Sequence, residues 1–219
     1  MIFEKKLLLR PAAKALLFAF CLIPFGWLLY GALLNPAQLG ANPAEYLVRS
    51  TGDWTLRFLC IVLAVTPLRT ISNTPQLARF RRMLGLFVYF YAVLHMLSYA
   101  WFDMSLVVDD IIQDILKRPF ILVGFSAFFW LTPMAATSFN AAIKFMGAKR
   151  WQTLHKAVYM IAGLAILHFF WMRAGKNNFT EVAVYAAILG TLLGWRVVQW
   201  AKKRKISPAA AAPRKGFRA

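Results

Sequence analysis

An all-α bundle of six membrane-crossing helices is the fold class that this sequence predicts, and three observations lead there. Of the 219 residues, 60% are hydrophobic and only 16% charged, with a mean hydropathy of +0.57, too little charge to coat a water-soluble globule. The apolar residues form six long runs with no two-residue alternation. Lys and Arg gather in alternate gaps between those runs, the pattern that sets topology in a membrane.

The runs cover roughly 14–33, 54–70, 83–102, 119–139, 153–173 and 179–199. At about 1.5 Å per residue most of them cross the roughly 30 Å of hydrocarbon, the second, WTLRFLCIVLAVTPLRT, by the smallest margin. Backbone groups in lipid must satisfy one another, so the runs are helices; a barrel would need many short alternating strands. The first run resembles a signal peptide, but it is long for one and no convincing small-residue cleavage site follows, so it is expected to stay as a span.

Lys5, Lys6, Arg10 and Lys14 precede the first run, Arg69, Arg79, Arg81 and Arg82 follow the second, Lys144, Lys149 and Arg150 follow the fourth, and a basic tail follows the sixth. The acids other than Glu4 belong to the opposite connections, so both termini are expected in the cytoplasm of a multi-pass bacterial inner-membrane protein. The chain then divides into a basic cytoplasmic N-terminus (1–13), a six-helix domain (14–200) and a basic, disordered cytoplasmic tail (201–219) attracted to anionic lipid. A formal charge of +18 would suggest nucleic acid in a soluble protein; here the cations are split among loops, and no nucleic-acid partner is expected.

Cys21 and Cys60 stand alone in apolar runs and read as small buried hydrophobes rather than metal ligands. No glycine-rich nucleotide loop is present. The outer connection DMSLVVDDIIQDILKR mixes apolar and acidic residues as a short interfacial helix does, and its acids could dock a periplasmic partner.

All three histidines, His95, His155 and His168, lie in or at the edge of a span. An ionisable group there is costly, which makes function the first hypothesis, against a neutral interhelical hydrogen bond or, for His155, a place near the headgroups. Counted from the cytoplasmic Arg82 and Arg150, their depths are about 20, 8 and 27 Å, so His95 and His168 are the closer match. Two imidazoles facing each other from separate helices suit the axial positions of a b-type haem. His155 and His168 are 13 residues apart, which in a straight helix puts them about 140° apart, so either the helix tightens locally or they face different neighbours. Arg57, early in the second span, could neutralise haem propionates or reach for the headgroups. Tyr89, Phe90 and Tyr91 could wall a haem or pack the core.

The segments GANPAEYLVRSTGDWTLRFL (40–59), LAVTPLR (63–69), RRMLGLFVYFYAVLH (81–95), DILKRPFILVGFSA (114–127), LTPMAATS (131–138) and WQTLHKAVYMIAGLAILHFFW (151–171) carry a resemblance over most of the chain. Together they resemble the MsrQ family, haem-binding membrane subunits of the bacterial periplasmic methionine sulfoxide reductase system, which is similar to the transmembrane domain of ferric reductases and NADPH oxidases. The resemblance implies an electron carrier fed by the quinone pool or a cytosolic flavin reductase, delivering to a molybdopterin-containing periplasmic reductase, MsrP, where oxidised methionine is repaired. It implies b haem with His95 and His168 as ligands, His155 as a candidate ligand of a second haem, and FMN. In the wider oxidase family a second histidine stands 14 positions before the outer one on the third helix; here that position is Arg81, which could meet a propionate or an FMN phosphate instead. The competing class is a small transporter or proton relay whose buried histidines titrate, against which stand the scarcity of intramembrane acids and the lack of a repeat between the halves.

Overall fold

The computed structural model describes residues 8–175 and 177–206. Nine α-helices occur among them: α1 (Pro11–Leu33), α2 (Pro43–Ile71), α3 (Arg81–Ser98), α4 (Val108–Lys117), α5 (Pro119–Ala136), α6 (Asn140–Met146), α7 (Ala148–His155), α8 (Ala157–Ala174) and α9 (Thr180–Ile206). Six stretches are long and apolar enough to cross a membrane, with α3 extended by flanking turns to Pro75–Asp103 and α7 and α8 counted together as Ala148–Ala174. The expected count holds, and the chain is a multi-pass membrane protein. The basic terminal residues 1–7 and the tail from 207 onward lie outside the described residues, while α9 continues past residue 200 to Ile206.

The second span begins well before its apolar run. Pro43 sits in its first turn, and the Asn42 side chain accepts a hydrogen bond from the Glu45 N–H at 3.2 Å, a local cap that starts a helix whatever the hydropathy that follows. The resulting 29-residue α2 carries Glu45, Arg49 and Asp53 in turns that hydropathy alone leaves as loop.

α2 and α3 form one closely packed pair, α5 and α8 another, and α3 joins the two through α5. Leu59, Val88, Tyr91 and Ile161, from α2, α3 and α8, are the most deeply buried large side chains. α1 and α9 flank this core; Phe20 at 65% and Leu33 at 69% exposure on α1 mark a face turned to lipid, where an apolar side chain loses nothing. Cys21 and Cys60 are buried and free.

Two prolines within spans are served by neighbouring helices. Beside Pro24 of α1, the Tyr91 hydroxyl from α3 donates to the Cys21 carbonyl at 2.8 Å and accepts from the Phe25 N–H at 3.1 Å. Pro67 of α2 has no N–H to offer the Leu63 carbonyl four residues back, and Arg196 Nη2 of α9 donates to that oxygen at 2.9 Å. Tyr91 also stacks on Phe58, with ring centroids 5.1 Å apart, and Phe90 packs edge-on against Phe25, so of the two roles open to them these aromatics take core packing.

Of the two alternatives left by the histidine spacing, the fifth span shows local tightening. Lys156 separates α7 from α8; its N–H is shared between the Gln152 carbonyl at 3.2 Å and the Thr153 carbonyl at 3.1 Å, and the Tyr159 N–H reaches back three residues to Lys156 at 3.1 Å. Each three-residue turn advances about 20° more per residue than an α-helix, which swings His155 towards the face of His168. Both then look onto the α5 side of the bundle, one at each end.

The connection between α3 and α5 forms the expected short helix, α4. α3 ends in a π-helical turn, Tyr99–Asp103, and the Tyr99 hydroxyl donates to Asp114 of α4 at 2.6 Å. Arg118 pairs with the same carboxylate. Burial alone would lift the Asp114 carboxyl, but the hydrogen bonds from Arg118 and Tyr99 outweigh it and hold the group below the usual carboxylate range.

Candidate functional site

His95 of α3 and His168 of α8 face each other across the bundle, ring centroids 6.2 Å apart and planes at 74°. Each ring is oriented by the same device. His95 Nδ1 donates to the Val48 carbonyl of α2 at 2.8 Å, and His168 Nδ1 donates to the Phe120 carbonyl of α5 at 2.6 Å. A carbonyl only accepts, so Nδ1 carries the proton in both rings and both Nε2 atoms keep a free lone pair. Fixing the remote nitrogen in this way is what orients a histidine that binds metal through the other.

The glycines behind the rings make this packing feasible. A Cβ on Gly124 of α5 would lie 2.7 Å from His168 Nδ1 and 2.8 Å from its Cε1; one on Gly52 of α2 would lie 3.0 Å from His95 Cε1. The two imidazoles therefore rest directly on helix backbone. Sequence reading missed both glycines; Gly124 was a residue of low helix propensity inside an apolar run, which does not say what approaches it, and Gly52 lay before the second run as hydropathy draws it.

His95 and His168 line one cavity of about 330 Å³, which falls in the size range of small-molecule sites. Its walls are largely apolar, from Leu56, Leu59, Val88, Ala127 and Phe128. The charged residues lining it are of both signs: Arg49 and Arg118 with Glu45, Asp53 and Asp103. Arg49 pairs with Glu45 at 2.6 Å. Arg57 stands apart from this cavity, its Nε donating to the Tyr185 hydroxyl at 3.1 Å and its guanidinium lying 4.6 Å from the centroid of the Trp54 ring.

His155 lines a second cavity, of about 510 Å³, together with Arg81. Its Nδ1 donates to the Trp151 carbonyl at 3.0 Å and its ring stacks on that tryptophan at 3.9 Å. Its Nε2 lies 3.5 Å from Ser138 Oγ, whose own proton goes to the Met134 carbonyl at 2.7 Å. Neither other histidine lines this cavity. Among the described residues no group of three or more His, Cys, Asp or Glu could hold a metal ion.

Residues 51–166 match the family model described as ferric reductase like transmembrane component, which makes this multi-pass helical bundle, with its half-buried pair of facing imidazoles, a ferric-reductase-like membrane protein. Within that class, the chain belongs to the MsrQ family. It is 72% identical over 210 residues, 95% of each chain, to the protein-methionine-sulfoxide reductase heme-binding subunit MsrQ of Polaromonas naphthalenivorans. It is 51% identical to the subunit of the same name in Herminiimonas arsenicoxydans, over 88% of each chain. The magnetosome protein MamZ of Magnetospirillum gryphiswaldense is 42% identical over 85% of this chain and 29% of its own length. No solved structure matches the chain.

Proposed function

We propose that this protein is a b-type haem electron-transfer subunit, with His95 and His168 as the axial pair, passing electrons to a periplasmic methionine sulfoxide reductase. The observation that carries the reading is the ring separation. With a metal–nitrogen bond of about 2.0 Å and about 1.1–1.2 Å from nitrogen to ring centre, two imidazoles on one iron stand about 6.3 Å apart, against the 6.2 Å found. Two nitrogens are also too few to hold a bare ion, and they suit a metal that brings its own equatorial ligands. The relatives named as heme-binding subunits support the same choice.

Bound there, haem supplies one-electron redox chemistry. His95 and His168 would hold the haem, and with both imidazoles on the iron the group would carry electrons rather than activate a substrate. The largely apolar walls would limit water, and Arg49 and Arg118, which line the cavity in ion pairs with Glu45 and Asp114, would be the nearer candidates for the propionates than Arg57, which does not line it. In this reading both termini lie in the cytoplasm, the donor is the quinone pool or a flavin reductase, and the acceptor is an MsrP-like periplasmic subunit. FMN enters through the family resemblance as a second cofactor, tested by fluorescence of any flavin released from the purified protein.

The deciding experiment is an absorption spectrum of protein from haem-replete cells before and after dithionite. A sharp α band on reduction is expected from a six-coordinate low-spin haem. Its absence would remove the reading and favour the proton-relay alternative.

A further inference from the structure

Most charges around the His95–His168 cavity are already engaged. Glu45 pairs with Arg49 at 2.6 Å, and Arg118 pairs with Asp114. Arg173, five residues past His168 on α8, pairs with Glu181 in the first turn of α9, and Arg57 gives its Nε to the Tyr185 hydroxyl at 3.1 Å. Two acids that line the cavity are left over. Asp103 is exposed, where water serves it; Asp53 is half-buried within the second span and makes no ion pair or hydrogen bond among the described residues.

A carboxylate without a partner inside a span is costly, and its retention points to function. The charges that act on Asp53 come from three helices: Arg57 and Arg49 of its own α2, Arg173 of α8 and Glu181 of α9. The Glu181 side chain is 54% exposed, so this group of charges reaches the edge of the bundle, where a carboxylate meets water. Asp53 lines the same cavity as both imidazoles. One electron delivered between those rings lowers the charge of the cavity by one. In a low-dielectric surround that change is felt most by an ionisable group that no cation has claimed, and such a group answers by binding a proton.

We propose that Asp53 is the proton acceptor coupled to the arrival of an electron in this cavity: as one electron from the donor takes ferric haem to ferrous, the Asp53 carboxylate binds one proton from water and the charge of the site is unchanged. The inference rests on the haem reading and adds to it a residue that touches neither iron nor substrate. Linkage makes the coupling reciprocal, so a protonated Asp53 makes the electron easier to accept. Glu45 and Asp114 would each have to give up an ion pair to do the same.

The test is a redox titration of the α band in the full, haem-loaded chain in detergent, repeated from about pH 5 to about pH 9. The midpoint potential of the wild type should fall with rising pH by up to about 59 mV per unit, the tenfold change in proton activity converted for one electron. Asp53→Asn, neutral at every pH, should keep the α band and lose the slope, staying near the high potential of the acid side, and Asp53→Glu should restore the slope. Reduced-minus-oxidised infrared difference spectra of the wild type should gain a protonated-carboxyl band that shifts on isotopic labelling of aspartate, a readout that needs no variant to fold. An α band whose potential ignores pH, a slope that Asp53→Asn leaves in place, as titrating haem propionates would give, or the lack of an aspartate band overturns this inference while the haem reading stands. Absence of the α band itself removes both.

Discussion

At the scale of single residues, Gly124 and Gly52 separate fold from function. Alanine at either position should raise the helix propensity of its span by up to about 1 kcal/mol while pressing on an imidazole. Gly124→Ala meets His168 at 2.7 Å and should displace the ring from the Phe120 carbonyl; Gly52→Ala meets His95 at 3.0 Å and should do less. Haem content per chain, read from the reduced α band, is expected to fall in the order wild type, Gly52→Ala, Gly124→Ala. The reverse order would mean that ring seating does not govern occupancy. His95→Ala and His168→Ala should each abolish the low-spin spectrum, with a smaller change for His155→Ala, which lines the other cavity. The three histidines and the closer match of two of them were legible by counting depth along the chain. The glycines and the Val48 and Phe120 carbonyls were not, because a backbone oxygen leaves no mark in a sequence and a glycine does not name what leans on it.

At the scale of elements, α1 depends on a hydroxyl borrowed from α3. Tyr91→Phe leaves the Cys21 carbonyl and the Phe25 N–H without that bridge in a buried setting, which should cost about 1–3 kcal/mol and lower the thermal midpoint of the detergent-solubilised protein. An unchanged midpoint would show that the two groups satisfy each other. α4 depends on a carboxylate. Because the Asp114 carboxyl sits below its usual range, its contribution is complete above the ordinary carboxylate range, about pH 4, and is lost as pH falls through the lower folded value. Hydrogen exchange of residues 108–117 should therefore accelerate below that range, and Asp114→Asn should show the fast exchange already at neutral pH. Equal protection in wild type and variant at neutral pH would dismiss the anchor. The helical nature of α4 was legible from its mixed apolar and acidic residues; the early start of α2 was not, since its first turns carry Glu45, Arg49 and Asp53 and hydropathy discards them. That early stretch supplies Val48, Arg49 and Gly52 to the cavity, so the least hydrophobic part of the span is the part that lies against His95.

At the scale of the whole molecule, six spans with cations gathered in alternate connections predict a definite sidedness. Cysteine introduced at Ala41 should react with a membrane-impermeant maleimide in cells with a permeabilised outer membrane, and cysteine at Ser72 should not, against a low background because Cys21 and Cys60 are buried. The opposite pattern would invert the topology. The overall architecture was legible because lipid allows so few solutions: long apolar runs must be helices, and their number follows by inspection. Which helices touch is less constrained, since hydrocarbon rewards no pairing over another. Pro24 and Pro67 bear on that question. Where water is absent, a backbone group set loose by a proline can be answered only by a side chain from next door, and Tyr91 and Arg196 are those answers. Each proline thus acts as a postal address within the bundle, naming the helix that must be delivered to its side.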